Sequence, residues 1–587
     1  MDFKTKMAAD AERIVTEVNW LASLTVVGIV YVLTRMMYYL WFHPLSSYPG
    51  PLLAQVSRLW YLRCLIRGTI PFDVLKLHEK YGDIVRIAPD ELAYNNPRAW
   101  KEIYGHRPSG HEIPKDPAFY HQESSGYLSI IGAPGERHGQ LRRLLSHGFS
   151  EKSLREQEAI IQRYADKFIS RLHESSNGGK NAVNMVQWFN FFTFDVIGDL
   201  AYGESFDCLA SGQYHPWITL IFSSSRFFTY FRATSFYPSL KRILAYFIPK
   251  HIIKNRKQQI QIRIEKAMRR LKSQTDRKDF VHRMVRPESG VSTEEFIATT
   301  GTLITAGSET TATLLSGVTH LLVTHPQKLE ILVREVRSSF SSEEEITFVS
   351  VNKLTYMLAC LDEALRLYPP IPGAFPRRTR DPEVILGRPV SVGTTVAVWH
   401  WAMYRSEKNF SRPDEFIPER WTDSQEFEGD AKSALQPFQV GPRNCLGRNL
   451  AYLEMRLILA RLLFNFDLEL LPERQRRKEH LKRLEAAERE RTNTQTEELE
   501  RLRHEINELR IENENLRLYG SDHSSLSPAP QLTSSPPPPP PSVYSSSSSF
   551  NPFQTTFETQ RAGTGTGQFV DFPSPIPSQS HSVVNPL

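Results

Sequence analysis

The chain has 587 residues, with 71 Lys and Arg against 65 Asp and Glu for a net charge of +6, and 40% of it is hydrophobic. That length holds a large core with appendages, and so mild a basic balance is no argument for nucleic-acid binding. Four cysteines, Cys64, Cys208, Cys360 and Cys445, lie far apart without a C-x-x-C pair, which excludes a dense secreted disulfide scaffold and favours a reducing compartment.

After a mixed-charge flank at 1–17, residues 18–41 are nearly uncharged until Arg35 and are long enough to span a bilayer. A cleaved signal or a buried helix would share the hydropathy. Tyr38, Tyr39, Trp41 and Phe42 at the far end suit an interface, and no small-residue cleavage site follows. Arg35, Arg58, Arg63 and Arg67 after the span place the main body in the cytosol by the positive-inside rule. The prolines of His43-Pro44-Leu45-Ser46-Ser47-Tyr48-Pro49-Gly50-Pro51 stop the helix and predict a stiff hinge. From 42 to 472 the pattern predicts one mainly α domain with short strands, among them Asp83-Ile84-Val85-Arg86-Ile87 and Thr395-Val396-Ala397-Val398.

Within that domain, Ser292-Thr293-Glu294-Glu295 reads as a capping box opening a helix to Thr324, before His325-Pro326. Some 33 residues at 1.5 Å each give roughly 50 Å, enough to cross a domain. Its centre carries Ala306-Gly307-Ser308-Glu309-Thr310-Thr311. Glu363 and Arg366 share a helix face at i, i+3 and can pair, and Phe416-Ile417-Pro418-Glu419-Arg420-Trp421 follows. Last comes Phe438-Gln439-Val440-Gly441-Pro442-Arg443-Asn444-Cys445-Leu446-Gly447, running into a helical stretch from Arg448 to Leu463. A loop of this kind lets backbone approach a flat macrocycle and stabilises a thiolate at a helix start. A structural cysteine would explain the thiol, but not a Phe, two Gly and an Arg at these offsets.

Beyond 472 the composition changes. Residues 473–519 are rich in Glu, Arg and Leu, with Leu499, Ile506 and Asn513 at one heptad position and Leu502, Leu509 and Leu516 at the other. This predicts a short coiled coil and a weak homodimer. Residues 520–587, rich in Ser and Pro, are expected to be disordered.

Taken together, F-x-x-G-x-R-x-C-x-G, E-x-x-R, P-E-R-W and A-G-x-E-T-T resemble the motifs of the cytochrome P450 monooxygenases, over roughly 42–471. The hinge and WFNFFTFDVIGDLAYGESF are most similar to fungal microsomal members, such as the isotrichodermin hydroxylase-like group, which points to secondary metabolism. The resemblance implies the mainly α P450 fold with small β-sheets. It implies haem b with Cys445 as iron ligand in a loop formed with Phe438, Gly441, Arg443 and Gly447. In the family, the threonine matched by Thr310 hydrogen-bonds dioxygen, the acid matched by Glu309 relays protons, and Gly307 would let dioxygen and the porphyrin approach the backbone. His138, Arg142, Arg377 and Arg443 match propionate-binding positions, and Arg420 joins Glu363 and Arg366 in a structural ion network. As bland alternatives, the Thr310 hydroxyl could back-bond within its helix and His138 could be an ordinary surface charge.

The implied partners are O2, NADPH-cytochrome P450 reductase, a lipophilic small molecule and a membrane. The expected location is the endoplasmic reticulum, single-pass with the catalytic domain cytosolic. One departure stands out. Family members continue from Phe464-Asn465-Phe466-Asp467-Leu468 into a β-hairpin lining the pocket, whereas here the heptads begin. ERQRRKEHLKRLE and these heptads resemble the end of a bZIP basic region and its leucine zipper, which gives a competing reading as a DNA-binding fusion. The base-reading half is absent, interrupted at Leu468 to Pro472, so sequence-specific nucleic-acid binding is not expected.

Overall fold

The computed structural model describes residues 20, 23–107, 110, 112–120, 129–237, 248–273, 277–422, 424–471, 498–508 and 582–586. Among the described residues the fold is mainly α with three small sheets, of four, three and two strands.

The first described helix, α1, covers Ser23–Phe42 and has no buried residue along its apolar stretch. Its last turn, Tyr38–Phe42, is a π-helix. The hinge beyond it is packed rather than free. Buried Arg86 donates to the carbonyls of Tyr39 at 3.0 Å, Leu45 at 3.3 Å and Pro89 at 2.7 Å. Gly50 lies so close to the Arg86 carbonyl that a Cβ would collide with it. One guanidinium thus ties the end of α1 and the hinge to the first strand.

That strand, β1 (Ile84–Ala88), pairs antiparallel with β2 (Glu91–Tyr94). Two helices follow that matter for the site, α2 (Gly135–Ser146) and, after β3 (Ala182–Val183), α3 (Met185–Tyr202). Nearly every residue of α3 is buried, aromatic residues included, as expected of a helix apolar on all sides. It packs against α4 (Thr293–Thr324), and these two form the centre of the largest hydrophobic cluster. The predicted capping box opens α4: Ser292 Oγ accepts from Glu295 N at 3.2 Å, and Ser292 N donates to Glu295 Oε2 at 3.1 Å. The helix has 32 residues and ends at His325.

Helix α5 (Thr355–Leu367) carries the E-x-x-R pair. Strands β4 (Arg377–Arg378) and β7 (Thr395–Val398) complete the first sheet, while β5 (Glu383–Ile385) and β6 (Arg388–Val390) form a hairpin. The run predicted at 395–398 is therefore in the same sheet as that predicted at 83–87, joined through β2. Helix α6 (Arg448–Asn465) leads directly into β8 (Phe466–Leu470).

The C-terminus departs from expectation. Ser582–Pro586, within the segment expected to be disordered, form β9, which lies between β3 and β8 and pairs antiparallel with both. Backbone pairing on both sides gives this short segment a place in a sheet despite its polar composition. The remainder of 520–587 and most of 473–519 lie outside the described residues, Leu509, Asn513 and Leu516 among them. Residues 498–508 are helical, with Leu499, Leu502 and Ile506 exposed.

Candidate active site

The cysteine loop is held by nested turns. Cys445 N donates to the Phe438 carbonyl at 2.8 Å, Asn444 N to Gly441 at 3.1 Å and Gln439 N to Gln436 at 3.0 Å. Gly441 has φ 77°, and a Cβ there would run into the carbonyl of Tyr104. Gln439 is left-handed at φ 63° without being glycine, a strained backbone that nothing in the sequence marks. Gly447 sits at the N-cap of α6, and the Phe438 ring is tilted against Tyr452 with centroids 5.2 Å apart.

The four cysteines separate cleanly. Cys64, Cys208 and Cys360 are buried, and Cys445 is exposed. Burial pushes the thiols of Cys64 and Cys208 up to about 12 and raises that of Cys360 well above the ordinary thiol value. Cys445 is open to solvent yet lies deep among protein atoms, and this desolvation raises its thiol too, while the Gly447 N–H and the charges of Arg142 and Arg448 act in the opposite direction. A metal ion would complete the deprotonation.

Helix α4 offers an open face in the middle of the core. Thr302, Thr305, Ala306, Glu309, Thr310 and Thr313, spaced i, i+3, i+4, i+7, i+8 and i+11, all escape burial, while Leu303, Ile304, Ser308 and Ala312 are buried. Burial raises the carboxyl pKa of Glu309, and no cation among the described residues offsets it. Thr310 Oγ1 donates to the Ala306 carbonyl at 2.8 Å, the back-bond left open by the sequence. The side chain that Gly307 lacks would point at Ile197 of α3, whose Cδ1 lies 2.7 Å from a built Cβ, so this glycine lets α3 pack closely on α4.

A cationic cluster gathers the four predicted bases and adds two groups without any spacing signal, Lys115 and Glu112. Arg443 Nε donates to Glu112 Oε1 at 2.7 Å, and its Nη1 to the Ala133 carbonyl at 2.8 Å. Arg377 Nη1 donates to the Ile113 carbonyl at 2.9 Å and lies 3.5 Å from Glu112, while its buried Nε has no partner among the described residues. Arg142 reaches across from α2 to the carbonyl and side-chain oxygen of Asn444, strapping that helix to the cysteine loop. Lys115, bridged to Arg377 by backbone pairing, donates to the Ile131 carbonyl at 2.6 Å and sits 4.5 Å from the Tyr120 ring centre. Burial, with Arg443 and Arg377 beside it, brings Lys115 down to about 7. Burial and the neighbouring Arg443, Lys115 and Arg142 take buried His138 down to about 4, so it is a neutral donor rather than a charge. Burial opposes ionisation of Glu112 too, but Arg443 and Arg377 hold its carboxyl below the usual range.

The second charged group is closed. Arg366 meets Glu363 with two bonds, Nε to Oε2 at 2.9 Å and Nη2 to Oε1 at 2.8 Å, and also donates to the carbonyls of Tyr404, Pro413 and Glu415. Arg420 Nε lies 3.5 Å from Glu363 Oε1 and is paired with Asp430 on its other side. The Glu363 oxygens also accept from Ile417 N at 3.0 Å and Trp421 Nε1 at 2.8 Å. Glu363, Arg366 and Arg420 are fully buried. Asp430 was missed in the sequence because its partner is brought to it by tertiary folding, with no helical spacing to signal it.

The cytochrome P450 family profile matches residues 49–491, about three-quarters of the chain. The chain belongs to the cytochrome P450 family. The P450 match runs beyond the boundary expected at 472. Similar curated proteins include the cytochrome P450 monooxygenase astJ of Aspergillus oryzae, 44% identical over 75% of this chain and 90% of that one. The averantin hydroxylase of Dothistroma septosporum is 44% identical over 75% and 84%, and the trichothecene C-15 hydroxylase of Fusarium sporotrichioides 40% identical over 76% and 91%. The protein is accordingly a P450 monooxygenase, and the family's chemistry uses haem iron, O2 and electrons from NADPH supplied through a reductase.

The residues present fit haem. An exposed sulfur with cations and an N–H beside it suits an iron ligand, and a cluster with more cations than acids, holding an orphaned Arg377 Nε, suits carboxylate groups.

Proposed function

We propose that the chain is a membrane-anchored haem-thiolate monooxygenase that inserts one atom of O2 into a lipophilic small molecule of fungal secondary metabolism. The observation that carries this reading is the contrast among the cysteines. Only Cys445 is exposed, and it alone stands in a glycine-containing loop with Arg142 and Arg448 acting on its sulfur.

Cys445 would bind the iron, and Arg142, Arg377, Arg443 and His138 would hold the propionates. When bound, haem supplies the redox chemistry that activates dioxygen. The protein's own contribution is proton handling and exclusion of water. Glu309, raised by burial, keeps its proton further up the pH scale than a solvated glutamate and can pass it along the open face of α4. Thr310, next on that face, would turn its hydroxyl from the Ala306 carbonyl toward the reacting oxygen. The buried flanks of α4 keep bulk water from the helix.

Relatives named as an averantin hydroxylase and a trichothecene C-15 hydroxylase support hydroxylation of a small molecule as the reaction. The exposed apolar α1, Ser23–Phe42, supports an anchor in the endoplasmic reticulum, with the P450 domain facing the cytosol and NADPH-cytochrome P450 reductase as its partner. The exposed Leu499, Leu502 and Ile506 support a weak homodimer through 473–519.

The deciding measurement is the carbonyl spectrum of the reduced protein. The wild type should show the red-shifted Soret band of a thiolate-ligated haem, and Cys445→Ala should lose it. Persistence of that band in Cys445→Ala would show that another residue is the ligand.

A further inference from the structure

Tyr104 ends the short helix Arg98–Tyr104, is 2% exposed, and touches two parts of the site that lie on separate elements. One is the ligand loop, whose Gly441 rests so close to the Tyr104 carbonyl that no side chain could stand between them. The other is Arg377 of β4, whose guanidinium carbon lies over the Tyr104 ring, 5.4 Å from its centre and within the range of a cation–π contact. Arg377 needs such support. Of its donors only Nη1 meets a protein acceptor among the described residues, the Ile113 carbonyl at 2.9 Å, with Glu112 at 3.5 Å. A planar fork bonded through one nitrogen can still turn, and an aromatic face beneath it fixes its plane.

The ring is itself pinned by its hydroxyl, which accepts from Val398 N in β7 at 3.1 Å. Thr395 N donates to the Asp90 carbonyl on the β2 side, and N–H directions alternate along a strand, so Val398 N points the other way, toward β4. There β4 pairs only with Thr395 and Val396. Val398 N lies beyond that pairing, and the phenol caps a buried donor that the sheet leaves open. A phenylalanine would fill the same space and leave that donor unsatisfied, so the hydroxyl has a reason to be there. One turn earlier, Trp100 Nε1 donates to the Ala434 carbonyl at 3.0 Å and its ring is tilted against that of Tyr104 with centroids 5.6 Å apart, which steadies the helix from its other end.

We propose that Tyr104 is a positioning residue for the monooxygenase: pinned by Val398, it holds the Arg377 guanidinium in a fixed place relative to the loop carrying Cys445. A rigid macrocycle held by a sulfur at its iron and by cations at its carboxylates tolerates little drift between the two grips, and such precision comes from the residues behind the ones that bind. This rests on the reading of Arg377 as a propionate-binding residue given above.

The test uses the full-length, haem-loaded protein and reads two quantities. One is the rate of haem loss to apomyoglobin; the other is the propionate bending band in the resonance Raman spectrum, which responds to hydrogen bonding at the haem carboxylates rather than to fold stability. Arg377→Ala sets the reference, with faster loss and a shifted band. Tyr104→Phe keeps the ring and drops only the bond to Val398; it should speed haem loss by about two- to tenfold, the usual net contribution of one hydrogen bond, and move the band in the same direction as Arg377→Ala. Tyr104→Leu, which also removes the ring face, should go further on both readouts. In an Arg377→Ala background neither Tyr104 variant should add anything, because the group they position is gone. Tyr104→Phe, a near-isosteric change, keeps the test alive if Tyr104→Leu fails to fold. If Arg377→Ala moves both readouts and Tyr104→Phe moves neither, or if the Tyr104 variants speed loss equally in both backgrounds, the Tyr104 proposal falls alone. If Arg377→Ala itself moves neither readout, the reading of Arg377 falls and takes the proposal with it.

Discussion

Two arginine-rich clusters lie in the P450 domain, and their charge balance separates scaffold from binding site. In the Glu363 cluster, two arginines face two carboxylates, Glu363 and Asp430, and the remaining donors go to backbone carbonyls and to Glu363 itself. Nothing is left over for a ligand. In the Arg443 cluster, Lys115, Arg377 and Arg443 face Glu112 as their one carboxylate among the described residues, Arg142 faces the Cys445 sulfur, one guanidinium nitrogen is orphaned among those residues, and a lysine is driven toward neutrality. A cluster that is unfavourable on its own is completed by an anion, and a closed one resists any change. Buried arginines therefore mark function only when their charge is uncompensated.

The comparison breaks most violently at the closed cluster. Arg366→Leu would leave Glu363 buried with only Arg420 near it, and losing one partner of a buried pair costs about 3–5 kcal/mol. That approaches the whole stability of a typical domain. The expected result is loss of soluble holoprotein, read as the yield of haem-bearing protein and its thermal midpoint. A variant with normal yield and midpoint would mean that the closed cluster is not what holds α5 to the segment carrying Arg420.

At the open cluster the effect should fall on binding and spare the fold. Removing Arg443 takes away a charge beside the cysteine loop, and outer-shell changes at metal sites typically cost about 10–100-fold in affinity. Arg443→Ala should therefore speed haem loss to apomyoglobin by about that factor with little change in secondary structure. Glu112→Gln should act in the opposite direction, because it removes the one anion competing for Arg443 and Arg377. Equal signs for the two variants would refute the picture of an open cluster.

Much of this was legible in the sequence, for identifiable reasons. The ligand loop, the E-x-x-R pair and the capping box are local patterns, in which chemistry is fixed by spacing along a few residues. Ser292 and Glu295 close their box as the pattern demands, and Glu363 meets Arg366 three residues on. What escaped is nonlocal. Asp430 and Lys115 reach their partners only through tertiary folding, and Gln439 adopts a left-handed backbone that glutamine does not advertise. The packing of Gly307 on Ile197 was hidden for a related reason, since a glycine in a motif announces close approach without saying to what. Strand β9 was invisible because Ser582–Pro586 has no strand-like alternation strong enough to stand out from the polar tail, and its pairing is with residues far back in the chain.

The smallest expected effect concerns pH, and it isolates Lys115. With its pKa lowered to about 7 from an ordinary 10.5, the lysine is increasingly neutral as pH rises through 7 in the folded protein, whereas in the unfolded chain it stays charged until near 10.5. Between those values the unfolded state binds more protons, so this group contributes a stability that rises with pH when no anion is bound. Carboxylates docked in the cluster reverse the cause of the shift and draw a proton onto Lys115. Anion binding is then coupled to proton uptake and weakens as pH rises through 7. Neither His138, neutral above about 4, nor Glu112, held ionised, titrates in that window. Protonation of the Cys445 thiolate would change haem retention in the other direction, weakening it as pH falls, so the informative quantity is a difference between proteins. Lys115→Arg stays charged throughout. Haem loss measured from pH 6.5 to 8 should accelerate in the wild type relative to Lys115→Arg, by less than about tenfold, the equivalent of one pKa unit. Parallel curves for the two proteins would mean that Lys115 keeps its charge in the fold and that the cluster is already compensated.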